Sequence, residues 1–280
     1  MAIELVTEFK PYVDEMFATE SKKSLLTNND FDWTGAHTVK AYKVSTSEMN
    51  DYQRNPVAGF TGSRYGEIKD LDATTEEFTL KKDRSFTFVI DKLDADETKR
   101  QVSASSALAR QQREVIIPEI DQYVYDVMCS GAGTKPTAIE LTSENIYDEI
   151  IKASAVLDDA EVPDSSRYLV VTPQTLLLMK KNAIIESNND VGKELRLKGV
   201  VSILDGLTVI KVPASRVPKG FGFMLAHPVA TIAPTKLEDY KIHEDPPGIS
   251  GSLVEGRIVY DAFVLDNKKK AIYYQAVTTA

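Results

Sequence analysis

One cysteine, one tryptophan and three histidines in 280 residues leave little material for several kinds of chemistry. The lone thiol, Cys129, cannot close an internal disulfide, which fits a reducing compartment. Its place near a helix end reads as a small buried hydrophobe. His37, His227 and His243 lie far apart and none has a second histidine at ligand spacing, so no zinc centre is expected. No segment approaches the roughly 18 apolar residues of a membrane span, and MAIELVTEFKPYVDEMF has no basic flank before an apolar run. Neither a membrane anchor nor a secretory signal is expected. Basic charge is also scarce: 33 Lys and Arg against 42 Asp and Glu leave a net charge of −9, the wrong sign for a chain whose main task is to neutralise phosphates.

The stretches nearest to known chemistry each miss it. SGAGTKPT follows a helix and puts Pro136 after its lysine, whereas a phosphate loop needs a preceding strand and its own glycine–lysine spacing, so it reads as a helix stop. GISGS has no strand-to-helix context around Ser250. NNDFDW and DKLDADE alternate acids but lack the glycine and glutamate of a calcium loop, and Asp91, Asp94 and Asp96 are better spent starting a helix. The lysine pairs 22–23, 81–82 and 180–181 and the triplet 268–270 read as solvated turns or helix ends. No enzyme, cofactor or metal is therefore expected; a small-molecule enzyme with its site at the strand ends is the distant rival.

What is present is a 42% hydrophobic chain, enough for a substantial core. Residues 1–37 read as an irregular arm that a partner must tie down. TVKAYKV is strand-like, and EEFTLKKDRSFTFVID reads as a hairpin turning at KKDR. Between them lies NPVAGFTGSRYGEI, a glycine-rich tip with no chemistry on it. A long two-stranded projection is marginally stable alone, so something outside it must support it. Leu93–Cys129 is the strongest helical signal, with Leu108, Val115, Ile116, Ile120, Tyr123, Val124 and Val127 at helical spacing. Pro118 should kink or divide that helix. An α/β region follows: LTSENIYDEIIKASAVLDD capped at Thr142 or Ser143, the strand RYLVVT, and a helix opened by Thr172 and Pro173. LVEGRIVYDAFVLDNKKKAIYYQAV reads as a long hairpin or strand pair turning at Asp266 and Asn267.

The ordered set EVIIPEIDQY (114–123), RYLVVTP (167–173) and EGRIVYDAFVLDNKKKAIYY (255–274), behind an arm and an extended loop, resembles the tailed-phage major capsid protein of the Hong Kong ninety-seven fold. That resemblance implies an α+β chain with an N-terminal arm at 1–37 and an extension loop at 38–91. It places a peripheral domain with its spine helix at 92–136 and 246–280, and an α/β axial domain at 137–245. It implies a shell protein that assembles through pentamers and hexamers around double-stranded DNA, without sequence-specific binding. Scaffolding protein, portal and a decoration protein would be its partners, in a virion capsid built in the host cytoplasm. Some relatives begin with a scaffolding segment; starting at Met1 with a short arm, this chain is expected either to use a separate scaffold or to be a form without that segment. The loop tip would lie over a neighbouring subunit, with Gly59 and Gly62 supplying bend and Arg64, Glu67 and Lys69 supplying charged contacts. Pro118 would mark the kink of the spine helix. An encapsulin-like nanocompartment shell is the nearest alternative.

Overall fold

The computed structural model describes residues 20–28, 38–44, 46–55, 62–70, 73–93, 103–181 and 203–278. The chain forms two units, Trp33–Leu80 and, as the other, Met1–Asp32 with Lys81–Ala280. His37, Gly59 and the expected helix caps Asp94 and Asp96 lie outside the described residues.

In the smaller unit, β1 (Thr38–Val44) and β2 (Ala73–Thr79) run antiparallel, from Thr38 opposite Thr79 to Val44 opposite Ala73. The Thr38 and Thr79 hydroxyls meet at 2.9 Å, Lys40 pairs with Glu77, and Lys43 Nζ lies 3.2 Å from Glu76 Oε2. Cross-strand pairs of this kind contribute about 0.2–1 kcal/mol each and hold the register. Phe78 and Leu80 are its buried apolar residues among those described.

After residues 20–28 the larger unit continues with β3 (Lys82–Asp91) and then the long helix, formed by α1 (Ala104–Gln111), a π turn (Gln112–Ile116) and α2 (Ile117–Gly131). Ser103 caps α1, its Oγ accepting the Ser106 N–H at 3.3 Å. Pro118 does not divide the helix. In a regular helix its ring would press on the carbonyl of Glu114; here Glu114 lies within the π turn, where Ile117 N–H reaches back five residues to the Gln112 carbonyl. The extra residue in that turn rotates the apolar stripe. Ile116, Ile120 and Val124 are buried, while Val115, expected in the core, is 44% exposed.

Next come α3 (Ile146–Asp159), β4 (Tyr168–Val171), α4 (Pro173–Lys181), β5 (Ile203–Leu204), β6 (Leu207–Lys211) and β7 (Phe221–Ala226). Thr142 and Asn145 cap α3 reciprocally: Asn145 N–H donates to Thr142 Oγ1 and Thr142 N–H to Asn145 Oδ1, at 3.3 and 2.8 Å. Thr172 caps α4, accepting the Thr175 N–H at 3.2 Å. The chain closes with β8 (Thr231–Ile232), β9 (Thr235–Glu244), β10 (Gly251–Tyr260), β11 (Phe263–Val264) and β12 (Ile272–Ala276).

Two sheets organise this unit, with the small β11–β8 pair beside them. One has the order β12-β7-β4-β6-β5, with β4 and β6 parallel and its other pairs antiparallel. All six residues of the inner strand β7 are buried, which is why FGFMLA reads as an unbroken apolar run. Ile120, Val124, Tyr125 and Met128 of α2 and Ile146, Ile150, Ala153 and Leu157 of α3 join it in one core. The other sheet, β3-β10-β9, is antiparallel, with Gly251 opposite Asp91 and Tyr260 opposite Lys82. The expected hairpin at KKDR therefore does not form, because β2 pairs with β1 and β3 with β10. Nor do β10 and β12 pair: they belong to different sheets, joined through a tight 3₁₀ turn, Asp266–Ala271. Alternation marks a strand but carries no information about its partner.

Gly256 lets the second sheet close. A Cβ there would sit 2.2 Å from the Phe86 ring and 2.8 Å from that of Tyr240. Gly256→Val is expected to destabilise the protein by about 1–3 kcal/mol through overpacking, read as a fall in the denaturation midpoint.

Residues 20–28, expected to be a loose polar arm, are tied into this unit. Leu26 is completely buried, Ser21 Oγ donates to Asp121 Oδ1 at 2.5 Å, and Asn28 donates through Nδ2 to the Val229 carbonyl and through its backbone to that of Thr231. Asp121 in turn meets Arg216 Nη1 at 2.8 Å, both side chains being almost completely buried. Burial lowers the pKa of Lys23, against the opposing pull of Asp121 and Glu238.

Candidate subunit-contact surface

Beyond β1 and β2 the smaller unit runs out into the segments 46–55 and 62–70, which hold each other locally. Gln53 N–H donates to the Arg64 carbonyl at 3.0 Å, and the Tyr52 and Tyr65 rings meet edge-on at 5.1 Å. Gly66 makes the bend: its φ is +97°, and a Cβ there would collide with the Asn50 side chain at 2.6 Å. Gly62, Arg64, Glu67 and Lys69 are all exposed. Lys69 Nζ lies 3.5 Å from Glu67 Oε2, so two of the three charges anticipated there face each other. Arg64 has no carboxylate partner among the described residues.

Four large apolar or aromatic side chains are exposed among the polar residues of this segment. Met49 is 100% exposed, Ile68 87%, Tyr65 78% and Tyr52 51%. Sequence reasoning passed over them, although Tyr65 and Ile68 stand inside the glycine-rich stretch that drew attention. Their signal was the presence of large apolar residues where a solvated loop needs none.

The polar interior of the larger unit is structural. Asp261 accepts from the Tyr123 hydroxyl at 2.6 Å and from the Lys81 N–H at 2.8 Å, joining the long helix to the start of β3. Burial and the Asp261 hydrogen bond raise the pKa of Tyr123, and burial with Glu119 nearby pushes that of Tyr260 up to about 12. Arg167, the first residue of RYLVVTP, is 4% exposed; it donates to the Pro163 carbonyl at 3.0 Å and meets Asp158 Oδ1 at 2.5 Å. Among the described residues no cluster of His, Cys, Asp or Glu could hold a metal, and no helix is long and apolar enough to cross a membrane.

His227 has a structural task as well. Its Nδ1 accepts the Val229 N–H at 3.2 Å, which only the neutral ring can do. Burial lowers its pKa, and Arg167 and Lys268 act in the same direction, while a hydrogen bond to the Ser165 backbone opposes them. The unfolded chain therefore takes up the proton more readily than the folded one. This contribution to stability is complete above the ordinary histidine value of 6.5 and is lost as pH falls through and below it. Urea midpoints measured across that range should drop on the acid side, with a smaller drop in His227→Gln.

No family model matches the chain, and no curated protein does. Solved structures do match, and along nearly its whole length. The capsid of the cyanophage P-SCSP1u is 13% identical with a TM-score of 0.77, over 98% of this chain and 93% of that chain. The mature capsid of bacteriophage PhiM1 is 13% identical with a TM-score of 0.72, over 98% and 92%. A virus-like particle from Pyrococcus furiosus is 11% identical with a TM-score of 0.54, over 91% and 92%. With so few identical residues the agreement lies in the path of the backbone, and the architecture it identifies is the Hong Kong ninety-seven fold of tailed-phage capsids.

Proposed function

We propose that the chain is the major capsid protein of a tailed phage, a structural subunit that assembles through pentamers and hexamers into an icosahedral shell around double-stranded DNA. The observation that carries this reading is the end-to-end match to capsid structures, 98% of this chain with a TM-score of 0.77 in the cyanophage case. Residues 1–37 act as the arm, 38–91 as the extension loop, 92–136 and 246–280 as the peripheral domain, and 137–245 as the axial domain. Within that loop region Lys82–Asp91 forms β3, which pairs with β10 and belongs to the larger unit. The exposed tip, with Tyr65 and Ile68 at its centre and Gly62, Arg64, Glu67 and Lys69 around them, lies on a neighbouring copy. The π turn before Pro118 is where the spine helix bends.

Shell closure follows from heterologous contacts repeated around rings, each modest and each strengthened once earlier ones have fixed the neighbours in place. The protein acts without catalysis or cofactor, in a virion capsid assembled in the host cytoplasm with a scaffolding protein, a portal and a decoration protein. Electron microscopy of the purified chain should show rings or closed shells. A monodisperse monomer or dimer at every concentration, by sedimentation, overturns the reading.

The match to the Pyrococcus furiosus particle favours a second reading, an encapsulin-like compartment, though at a TM-score of 0.54. Particles purified from the native source separate the two: packaged double-stranded DNA supports the capsid, an enclosed enzyme the compartment.

A further inference from the structure

Among the described residues the chain carries a concentrated positive corner on a body of net charge −9. Lys268, Lys269 and Lys270 are consecutive and exposed on the 3₁₀ turn Asp266–Ala271, and Lys135 is exposed on the loop beside it. The turn is held rigidly. Gly133 N–H donates to the Lys269 carbonyl at 2.8 Å, His227 N–H to that of Ala271 at 3.1 Å, and the flanking Leu265 and Ile272 are buried. Lys135 is fixed by its own ammonium, which donates to the Ser130 carbonyl at 2.8 Å at the end of α2. Among the described residues none of these four lysines forms an ion pair, and the one acid in the turn is Asp266. Four like charges held together by backbone geometry repel one another, and a single acid in the turn, Asp266, stands against them.

We propose that this corner is a salt-sensitive contact surface whose partner is an acidic face of a second copy of this chain, an inference that rests on the shell reading above. Charge complementarity selects the partner. At a net charge of −9, copies brought together repel overall, so a basic patch meets carboxylates on almost any face that a neighbour presents. The same net charge disfavours nucleic acid, which the body around the corner repels. Lysine ammoniums on a fixed turn act as point charges with rotatable donors and suit carboxylates in the slightly different settings of a shell.

The test compares two full-length variants with equal charge change. Lys268→Gln, Lys269→Gln and Lys270→Gln together remove the corner. Lys181→Gln, Lys211→Gln and Lys219→Gln together remove three exposed lysines elsewhere. The expected result is about a tenfold rise in the concentration needed for assembly in the corner variant and little change in the control, the difference shrinking as salt shortens the screening length. Equal behaviour of the two variants, when the wild type assembles, overturns the proposal and leaves the shell reading intact. Unchanged assembly in the corner variant with lost binding of a fluorescent DNA duplex overturns it in favour of nucleic acid. A wild-type chain that never associates overturns the proposal together with the shell reading.

Discussion

Deleting residues 55–68 should leave the larger unit folded and abolish closed shells. Among the described residues, that unit's core, from Leu26 to Tyr273, draws none from the deleted stretch. Its unfolding midpoint should therefore stay close to that of the intact chain. The stretch does carry Tyr65 and Ile68, both more than three-quarters exposed, and the bend at Gly66 that presents them. Burying such side chains against a neighbour contributes about 1.5–3 kcal/mol each. Losing both raises the assembly threshold by roughly a hundredfold or more, since about 1.4 kcal/mol is a factor of ten. The milder double variant Tyr65→Ser, Ile68→Ser should move in the same direction while keeping the loop. The measurements are thermal unfolding by circular dichroism and particle counts by electron microscopy. Normal particles from the deletion would mean that the tip is not a subunit contact.

The second large effect concerns stability. Asp121→Ala should cost about 3–5 kcal/mol, because it leaves the Arg216 guanidinium buried without its carboxylate. The loss also takes the Ser21 hydroxyl's acceptor and removes an attraction on the Lys23 ammonium. Replacing both members, Asp121→Leu with Arg216→Met, should recover much of the difference, since an apolar pair of similar volume carries no desolvation cost. Guanidinium denaturation of the two variants measures this. If the single and double variants lose equal stability, the charge pairing contributes nothing.

The amino-acid order disclosed much of this fold and little of its pairing. RYLVVT, FGFMLA and the cap at Thr172 were legible because each depends on neighbours within a few residues. The union of β3 with β10 was not, since Lys82 and Tyr260 are joined by a register that local alternation cannot encode. The π turn was equally hidden: Pro118 announced a defect in the helix but not its form, and Val115 was misplaced as a result. Residues 21–28 looked like polar filler because their anchors are one leucine and a few side-chain hydrogen bonds, which leave no periodic trace. The glycines and charges of the tip drew the eye, whereas its exposed apolar residues acquire meaning only when their surroundings are known.

The strand order of the five-stranded sheet sets a timetable for the newborn chain. β12, residues 272–276, lies against β7, and β3 waits for β10. Neither sheet can be completed until β10, or β12 for the other, has left the ribosome. A chain whose translation stops before β12 leaves β7 uncovered on that side, so such products are left to chaperones and proteases, and on the shell reading only molecules that carry β12 enter the pool from which particles would grow.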